Sequence, residues 1–187
     1  MEDILIIDDF LNKDELSYIQ DGNSYKDSYW QINNSEFRDI DKQTLLQSYQ
    51  ICTSYGTKDV FDFNNPFLAK NLMDNKYYTS YLLNKINKSF NLDYKLVNVY
   101  LNGHEALRHG SFHIDNDADR TVILYITPWE PAWGGFTHFM MNDKEHAVIA
   151  PLLGRLVNFR SDIIHKAYAY CNSNCPMRIT AAFKLKL

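Results

Sequence analysis

From Tyr94 to the C-terminus, apolar residues recur at every second position, and a period of two dictates extended chain. In Lys95-Leu96-Val97-Asn98-Val99-Tyr100-Leu101, one face carries Val97, Val99 and Leu101, and the other Leu96, Asn98 and Tyr100. The apolar face suits packing on helices, and the mixed face suits lining a cavity. Further strands are expected over 121–127, 136–141, 147–150, 156–159, 163–170 and 177–186. Gly134-Gly135 and Pro151-Leu152-Leu153-Gly154 supply turns between them. Ahead of Tyr94 the period differs. Tyr78, Leu82, Ile86 and Phe90 recur every four residues, with Leu83 widening the stripe. That spacing predicts a helix over 76–90 lying on the outside of a sheet. The chain therefore reads as mainly β with flanking helices.

The N-terminal half is less regular. Ile4-Leu5-Ile6-Ile7 suits a buried strand, and Asn12 with Glu15 makes a capping box for a helix reaching about Asp21. Pro66 fits a first helical position after an Asn65 cap, which predicts a short helix over 66–73. Residues 22–65 are polar and aromatic and read as loops and short strands. Within them, Tyr29, Trp30 and Phe37 either cover a site or pack as a satellite of the core. At 187 residues the chain reads as one domain, 1–93 supporting and 94–187 forming the β core.

The formal net charge is −4, from 19 basic and 23 acidic residues, and no basic block stands out. An electrostatic grip on nucleic acid is not expected. No run reaches the roughly 20 apolar residues of a membrane span, and Met1-Glu2-Asp3 lacks the basic start of a signal peptide. The cysteines Cys52, Cys171 and Cys175 form no disulfide framework, which suggests a reducing, cytoplasmic setting. Cys171 and Cys175 read as loop residues, because no second pair exists to complete a metal site with them.

The chemistry concentrates between 113 and 178. In His113-Ile114-Asp115, side chains two apart on a strand project to the same side. An imidazole and a carboxylate are two of the three ligands of a facial triad, which leaves other positions on a non-haem iron open. His165, 52 positions after His113, sits in an apolar-rich run and can supply the third. Thirteen positions later, Arg178-Ile179-Thr180 sets a guanidinium beside a hydroxyl on one face. His104, His109, His138 and His146 compete as ligands. His109 would need a helix through Gly110 to share a face with His113, and His138 reads as packing or support.

This ordered set, His-x-Asp, a second His and Arg-x-Thr, resembles the Fe(II)/2-oxoglutarate-dependent dioxygenase superfamily. Tyr100-Leu101-Asn102-Gly103, the run Arg120 to Ile126, Trp133-Gly134-Gly135-Phe136-Thr137-His138-Phe139 and Gly154-Arg155-Leu156-Val157-Asn158-Phe159 resemble its prolyl-4-hydroxylase-like branch. The likeness covers roughly 94–187. It implies a double-stranded β-helix (a cupin-like jelly roll) with helices packed on one sheet. It also implies Fe(II) held by His113, Asp115 and His165, with 2-oxoglutarate and O2 as cosubstrates and ascorbate as an accessory reductant. 2-Oxoglutarate is then decarboxylated to succinate and CO2 while a substrate C–H bond is hydroxylated. Related enzymes that halogenate carry a small residue where Asp115 stands, so Asp115 points to hydroxylation.

Under the same resemblance, Arg178 pairs with the distal carboxylate of 2-oxoglutarate through two parallel hydrogen bonds. Thr180 adds a donor, and Tyr100 adds a contact from the cavity face. The family often places another Tyr on the following strand; here Leu124 reads as inward and Tyr125 as facing away. Collagen-type prolyl hydroxylases carry Lys where Arg178 stands, so collagen-like substrates are not implied. For the substrate, Arg120 is expected near the entrance and Asn158 facing the site. Trp129 and Trp133 read either as an aromatic wall or as loop anchors. The expected substrate is a prolyl or similar residue of a protein or peptide. A free amino acid or small metabolite is the alternative. A non-catalytic metal-binding jelly-roll module is a third reading, and Arg178 counts against it. Nucleobase demethylation is disfavoured by the acidic balance. Oligomeric state is left open by the sequence.

Overall fold

The long apolar alternation resolves into two antiparallel sheets packed face to face, with a helical layer on the larger. The computed structural model describes residues 3–21, 31–33, 67–115, 117–142 and 145–187. Its strands are β1 (Ile4–Ile7), β2 (Gln31–Asn33), β3 (Phe67–Asn71), β4 (Lys95–His104), β5 (Arg120–Tyr125), β6 (Thr137–Met140), β7 (His146–Ile149), β8 (Leu156–Arg160), β9 (Ile164–Ala167) and β10 (Arg178–Lys186). The helices are α1 (Lys13–Asp21) and α2 (Leu83–Phe90), the latter entered through a π-helical stretch, Tyr77–Leu82. The large sheet runs β1-β8-β5-β10-β4-β3-β2 and the small one β7-β6-β9. This is the expected jelly roll.

Each face of the large sheet has its own core. On the helix side, Tyr78, Leu82 and Ile86 pack against Val99, Leu101, Val122, Leu124, Ile179, Ala181 and Phe183. Between the sheets, Ile123, Tyr125, Val157 and Phe159 meet Phe139 and Ile149, with Phe139 and Phe159 edge to face at 4.9 Å. The capping box forms: the Asn12 N–H donates to Glu15 Oε2 at 2.7 Å, and the Glu15 N–H to Asn12 Oδ1 at 2.9 Å. Glu15 also accepts bonds from Tyr81 and Lys85, which ties α1 to the second helical segment.

Two expectations are corrected. The helix expected over 66–73 gives way to a strand: Phe67–Asn71 is β3, paired antiparallel to β4, and the Leu72 N–H continues the pairing onto Val99. A lone Pro-led turn without an apolar stripe yields to the open hydrogen-bonding edge of β4. The face assignment of β4 holds from Asn98 onward but fails at its start. The β10–β4 register skips Val97, so Val97 is exposed while Leu96 packs with the helix-side core. A bulge of one residue reverses the alternation there. The suggested cover formed by Tyr29, Trp30 and Phe37 lies outside the described residues, as does Cys52. No helix among the described residues is long and apolar enough to cross a membrane.

Candidate metal centre

His113 and Asp115 do not sit on a continuous strand. His113 forms an isolated antiparallel bridge with His165: the His113 N–H donates to the His165 carbonyl at 3.0 Å, and the His165 N–H returns a bond at 2.9 Å. The Asp115 N–H is then anchored on the Ser161 carbonyl at 2.8 Å. These bonds bring the three side chains together, their ligand atoms all within 4.8 Å of one another. His113 Nε2 is 3.8 Å from Asp115 Oδ1, and His165 Nε2 is 3.7 Å from Oδ2.

The neighbours of the rings decide what they offer. His113 Nδ1 lies 2.9 Å from the Ser111 carbonyl, and His165 Nδ1 lies 2.9 Å from the Ile163 carbonyl. A carbonyl can only accept, so both Nδ1 atoms carry the proton and both Nε2 lone pairs face the carboxylate. Burial, then the charge of His113, pushes His165 down to about 3, so it stays a neutral donor at ordinary pH. Burial alone would raise Asp115, but Lys184 and the two histidines hold it well below the usual carboxylate range. Two imidazoles with Nε2 turned toward an ionised carboxylate fit a divalent iron, and such a donor set leaves one side of the metal open.

Arg178 occupies the same inter-sheet face. Along β10 the residues Arg178, Thr180, Ala182 and Lys184 alternate with Ile179, Ala181, Phe183 and Leu185, and the latter four belong to the helix-side core. The Arg178 Nε–H donates to the Gly135 carbonyl at 2.8 Å, and Nη2–H donates to Thr137 Oγ1 at 2.9 Å. The Tyr125 ring centroid lies 5.4 Å from the guanidinium carbon, and the Tyr125 hydroxyl is 2.6 Å from Thr137 Oγ1. Burial lowers the pKa of Arg178, yet a guanidinium remains charged. Among the described residues no carboxylate pairs with it. It is a fully buried cation whose hydrogen-bond acceptors, among the described residues, are a carbonyl and a hydroxyl.

Gly135 makes that approach possible. Its φ is +78°, and a Cβ there would come within 2.4 Å of the Tyr170 ring and 3.6 Å of the Arg178 stem. Thr180 lies on the same face between Asn102 and Tyr125, and Tyr100 across β10 from Ala182.

Other expected residues fall elsewhere. Tyr125 faces the space between the sheets and Leu124 the helices, the reverse of the expected phase. Arg120 and Asn158 lie on the helix side, where Arg120 Nε–H donates to Asn158 Oδ1 at 2.8 Å and Asn158 Nδ2–H reaches Tyr94 Oη at 3.3 Å. They form a buried polar pair away from the three-residue cluster. Trp129 does not meet Trp133. Its Nε1–H donates to the Gly134 carbonyl at 2.7 Å and its ring packs on Phe136, while Trp133 packs on Tyr170. That is the anchoring arrangement. The competing histidines also lie outside the cluster: His138 bonds His146 at 2.8 Å, His109 Nδ1 accepts from the Ala169 N–H, and His104 stands across from Arg178. Cys171 and Cys175 are free.

Two side chains around Asp115 were not anticipated. The Thr121 hydroxyl donates to Asp115 Oδ2 at 2.6 Å, and the Lys184 ammonium contacts the same oxygen. Lys184 shares a period of two with Arg178 and Thr180, and that signal was available in the sequence.

By sequence, no family model and no curated protein matches the chain. By structure, it shares the fold of a Pseudomonas putida prolyl-4-hydroxylase, at TM-score 0.57 and 14% identity over 100% of this chain and 94% of that one. It also shares the fold of a Burkholderia pseudomallei oxidoreductase of the 2OG-Fe(II) oxygenase family, at TM-score 0.65 and 10% identity over 98% and 85% of the two chains. A Trichoplax adhaerens prolyl hydroxylase in complex with a hypoxia inducible factor peptide fragment aligns at TM-score 0.62 and 17% identity over 98% and 83%.

Proposed function

We propose that this protein is an Fe(II)- and 2-oxoglutarate-dependent hydroxylase whose substrate is a prolyl or similar residue in a protein or peptide. The observation that carries the reading is Arg178. Among the described residues no carboxylate reaches it, a buried guanidinium is unfavourable unless a ligand brings one, and here it faces the same inter-sheet space as three converging side chains of metal-binding type. A molecule with a carboxylate at one end and a chelating group at the other answers both needs.

The residues divide the work. His113, Asp115 and His165 would hold the ion, with both Nε2 lone pairs fixed by carbonyls behind the rings. Arg178 would take the far carboxylate, its fork oriented by Gly135 and Thr137. The Tyr125 phenol, kept neutral because burial raises its pKa, can donate to that carboxylate beside it. Thr180 and Tyr100 would line the path between. A bound ferrous ion with 2-oxoglutarate and O2 supplies the oxidation that converts C–H to C–OH, releasing succinate and CO2. Phe139 and Phe159, packed on His165, keep bulk water from that side.

The peptide assignment rests on the likeness to the peptide-bound hydroxylase, and a free amino acid is the alternative. Anaerobic Fe(II) with 2-oxoglutarate should give a weak visible charge-transfer band, and a purely structural metal site should give none. With ascorbate present, succinate release should rise with proline-containing peptides and not with free proline. The opposite preference would transfer the substrate to the small-molecule class.

A further inference from the structure

The proposed reaction has no use for Lys184, yet its position is chemically odd. A metal centre is a site for cations, and here an ammonium already rests on the carboxylate. Lys184 Nζ contacts Asp115 Oδ2 and lies 3.4 Å from Thr121 Oγ1, with only 13% of the side chain exposed. Thr121 donates to that same oxygen. Both groups take Oδ2, and among the described residues neither bonds Oδ1, which lies on the His113 side.

A second station lies next to it. Asn98 is the direct cross-strand partner of Lys184 on β4, so their Cβ atoms are roughly 5 Å apart. Asn98 Oδ1 is buried and has no hydrogen-bond partner among the described residues. The Tyr100 ring, 5.8 Å from Nζ, flanks the way between. An unsatisfied buried acceptor within reach of a flexible ammonium is a place for that ammonium to go.

We propose that Lys184 is a placeholder cation, neutralising Asp115 while the centre is empty and moving to Asn98 Oδ1 when a divalent ion takes the carboxylate. The proposal rests on the reading of His113, Asp115 and His165 as metal ligands. Its physical basis is that an isolated buried carboxylate is strongly destabilising, a problem any such centre has before loading. Lys184 solves it for the empty protein. A divalent ion on the Asp115 carboxylate and the Lys184 ammonium would repel each other, so loading would displace the lysine and the metal affinity would be reduced by that competition. Asn98 limits the reduction by accepting the displaced group.

The test uses the metal-free full chain, with Mn(II) as a redox-stable probe followed by the electron paramagnetic resonance of the free ion, alongside thermal melts. Lys184→Met is expected to bind Mn(II) at least tenfold more tightly than the wild type. Its metal-free form should melt lower, and its metal-induced rise in Tm should be larger. Lys184→Gln, which keeps a hydrogen bond without the charge, should gain affinity as well and serves if the Met variant does not fold unloaded. Asn98→Leu should bind severalfold more weakly, and that loss should vanish when combined with Lys184→Met. Unchanged or weaker Mn(II) binding in both Lys184 variants would overturn the proposal, as would an Asn98 effect that persists without the lysine. A wild type that takes up no Mn(II) would instead remove the metal centre itself.

Discussion

Arg178 and Lys184 stand six positions apart on one face of β10, and among the described residues an anion lies against Lys184 but not against Arg178. The difference predicts unequal responses to loss of charge. Arg178→Met should raise the KM for 2-oxoglutarate at least tenfold, yet leave the Tm of the unliganded protein unchanged or higher, because it removes an uncompensated buried cation. Isothermal titration with 2-oxoglutarate and a thermal melt check both halves. A large drop in Tm with an unchanged KM would mean that the guanidinium is purely structural.

Each of the three converging side chains should be indispensable to the metal. His113→Ala, Asp115→Ala and His165→Ala are expected to abolish Mn(II) uptake and 2-oxoglutarate turnover. Turnover retained in any one of them would take that residue out of the centre.

Gly135 acts at one remove on Arg178, the proposed cosubstrate anchor. Ala there must adopt a positive φ and push against the Tyr170 ring, so Gly135→Ala should cost about 1–3 kcal/mol of stability. Its carbonyl holds the Arg178 Nε, so the KM for 2-oxoglutarate should rise with little change in Mn(II) affinity. Chemical denaturation and a cosubstrate titration on the same sample measure the two effects.

Asn158 and Arg120 give the opposite pattern. Asn158→Leu leaves the Arg120 Nε–H without its partner on the helix side of the sheet, a loss of about 1–3 kcal/mol. The KM for substrate should not move. A selective change in substrate KM would restore these residues to the site.

The link between α1 and the second helical segment should carry a pH signature. Burial raises Glu15, but the bonds from Lys85, Asn12 and Tyr81 outweigh it and hold the carboxyl below the usual glutamate value. A depressed folded pKa means stability that is present above the unfolded value of about 4.3 and lost as pH falls below it. Glu15→Gln keeps the capping geometry without the ion pair. It should be less stable by up to about 1 kcal/mol at pH 7, with the two curves converging in acid. Parallel curves across the whole range would contradict the assignment.

The parts of the molecule legible in the sequence were those with a one-sided pattern. The helix stripe from Tyr78 to Phe90 announced its buried face because its other side is polar, and Arg178-Ile179-Thr180 kept its alternation because Ile179 joins the helix-side core. β5 gave no such phase: all six of its residues are buried, so Leu124 and Tyr125 looked equivalent and the choice between them went the wrong way. Arg120, expected near the entrance from the family likeness, and Asn158, on the neighbouring strand, lie on the helix side for the same lack of a one-sided pattern. The convergence of His113 with Asp115 was anticipated on the premise of a strand, whereas the actual cause is a single bridge to His165 and a tether to Ser161. β3 was missed because its reason for being extended, the open edge of β4, lies about thirty residues downstream.

β5 is buried on both sides, with Leu124 among the helix-side apolar residues and Tyr125 beside Arg178. One backbone thus serves two separate neighbourhoods, and any shift that relieves crowding in one is delivered to the other. Lesions under the helices, remote from every reacting atom, should therefore surface in kinetics before they surface as unfolding. For anyone seeking hardier variants, the scaffold behind this strand is not neutral ground.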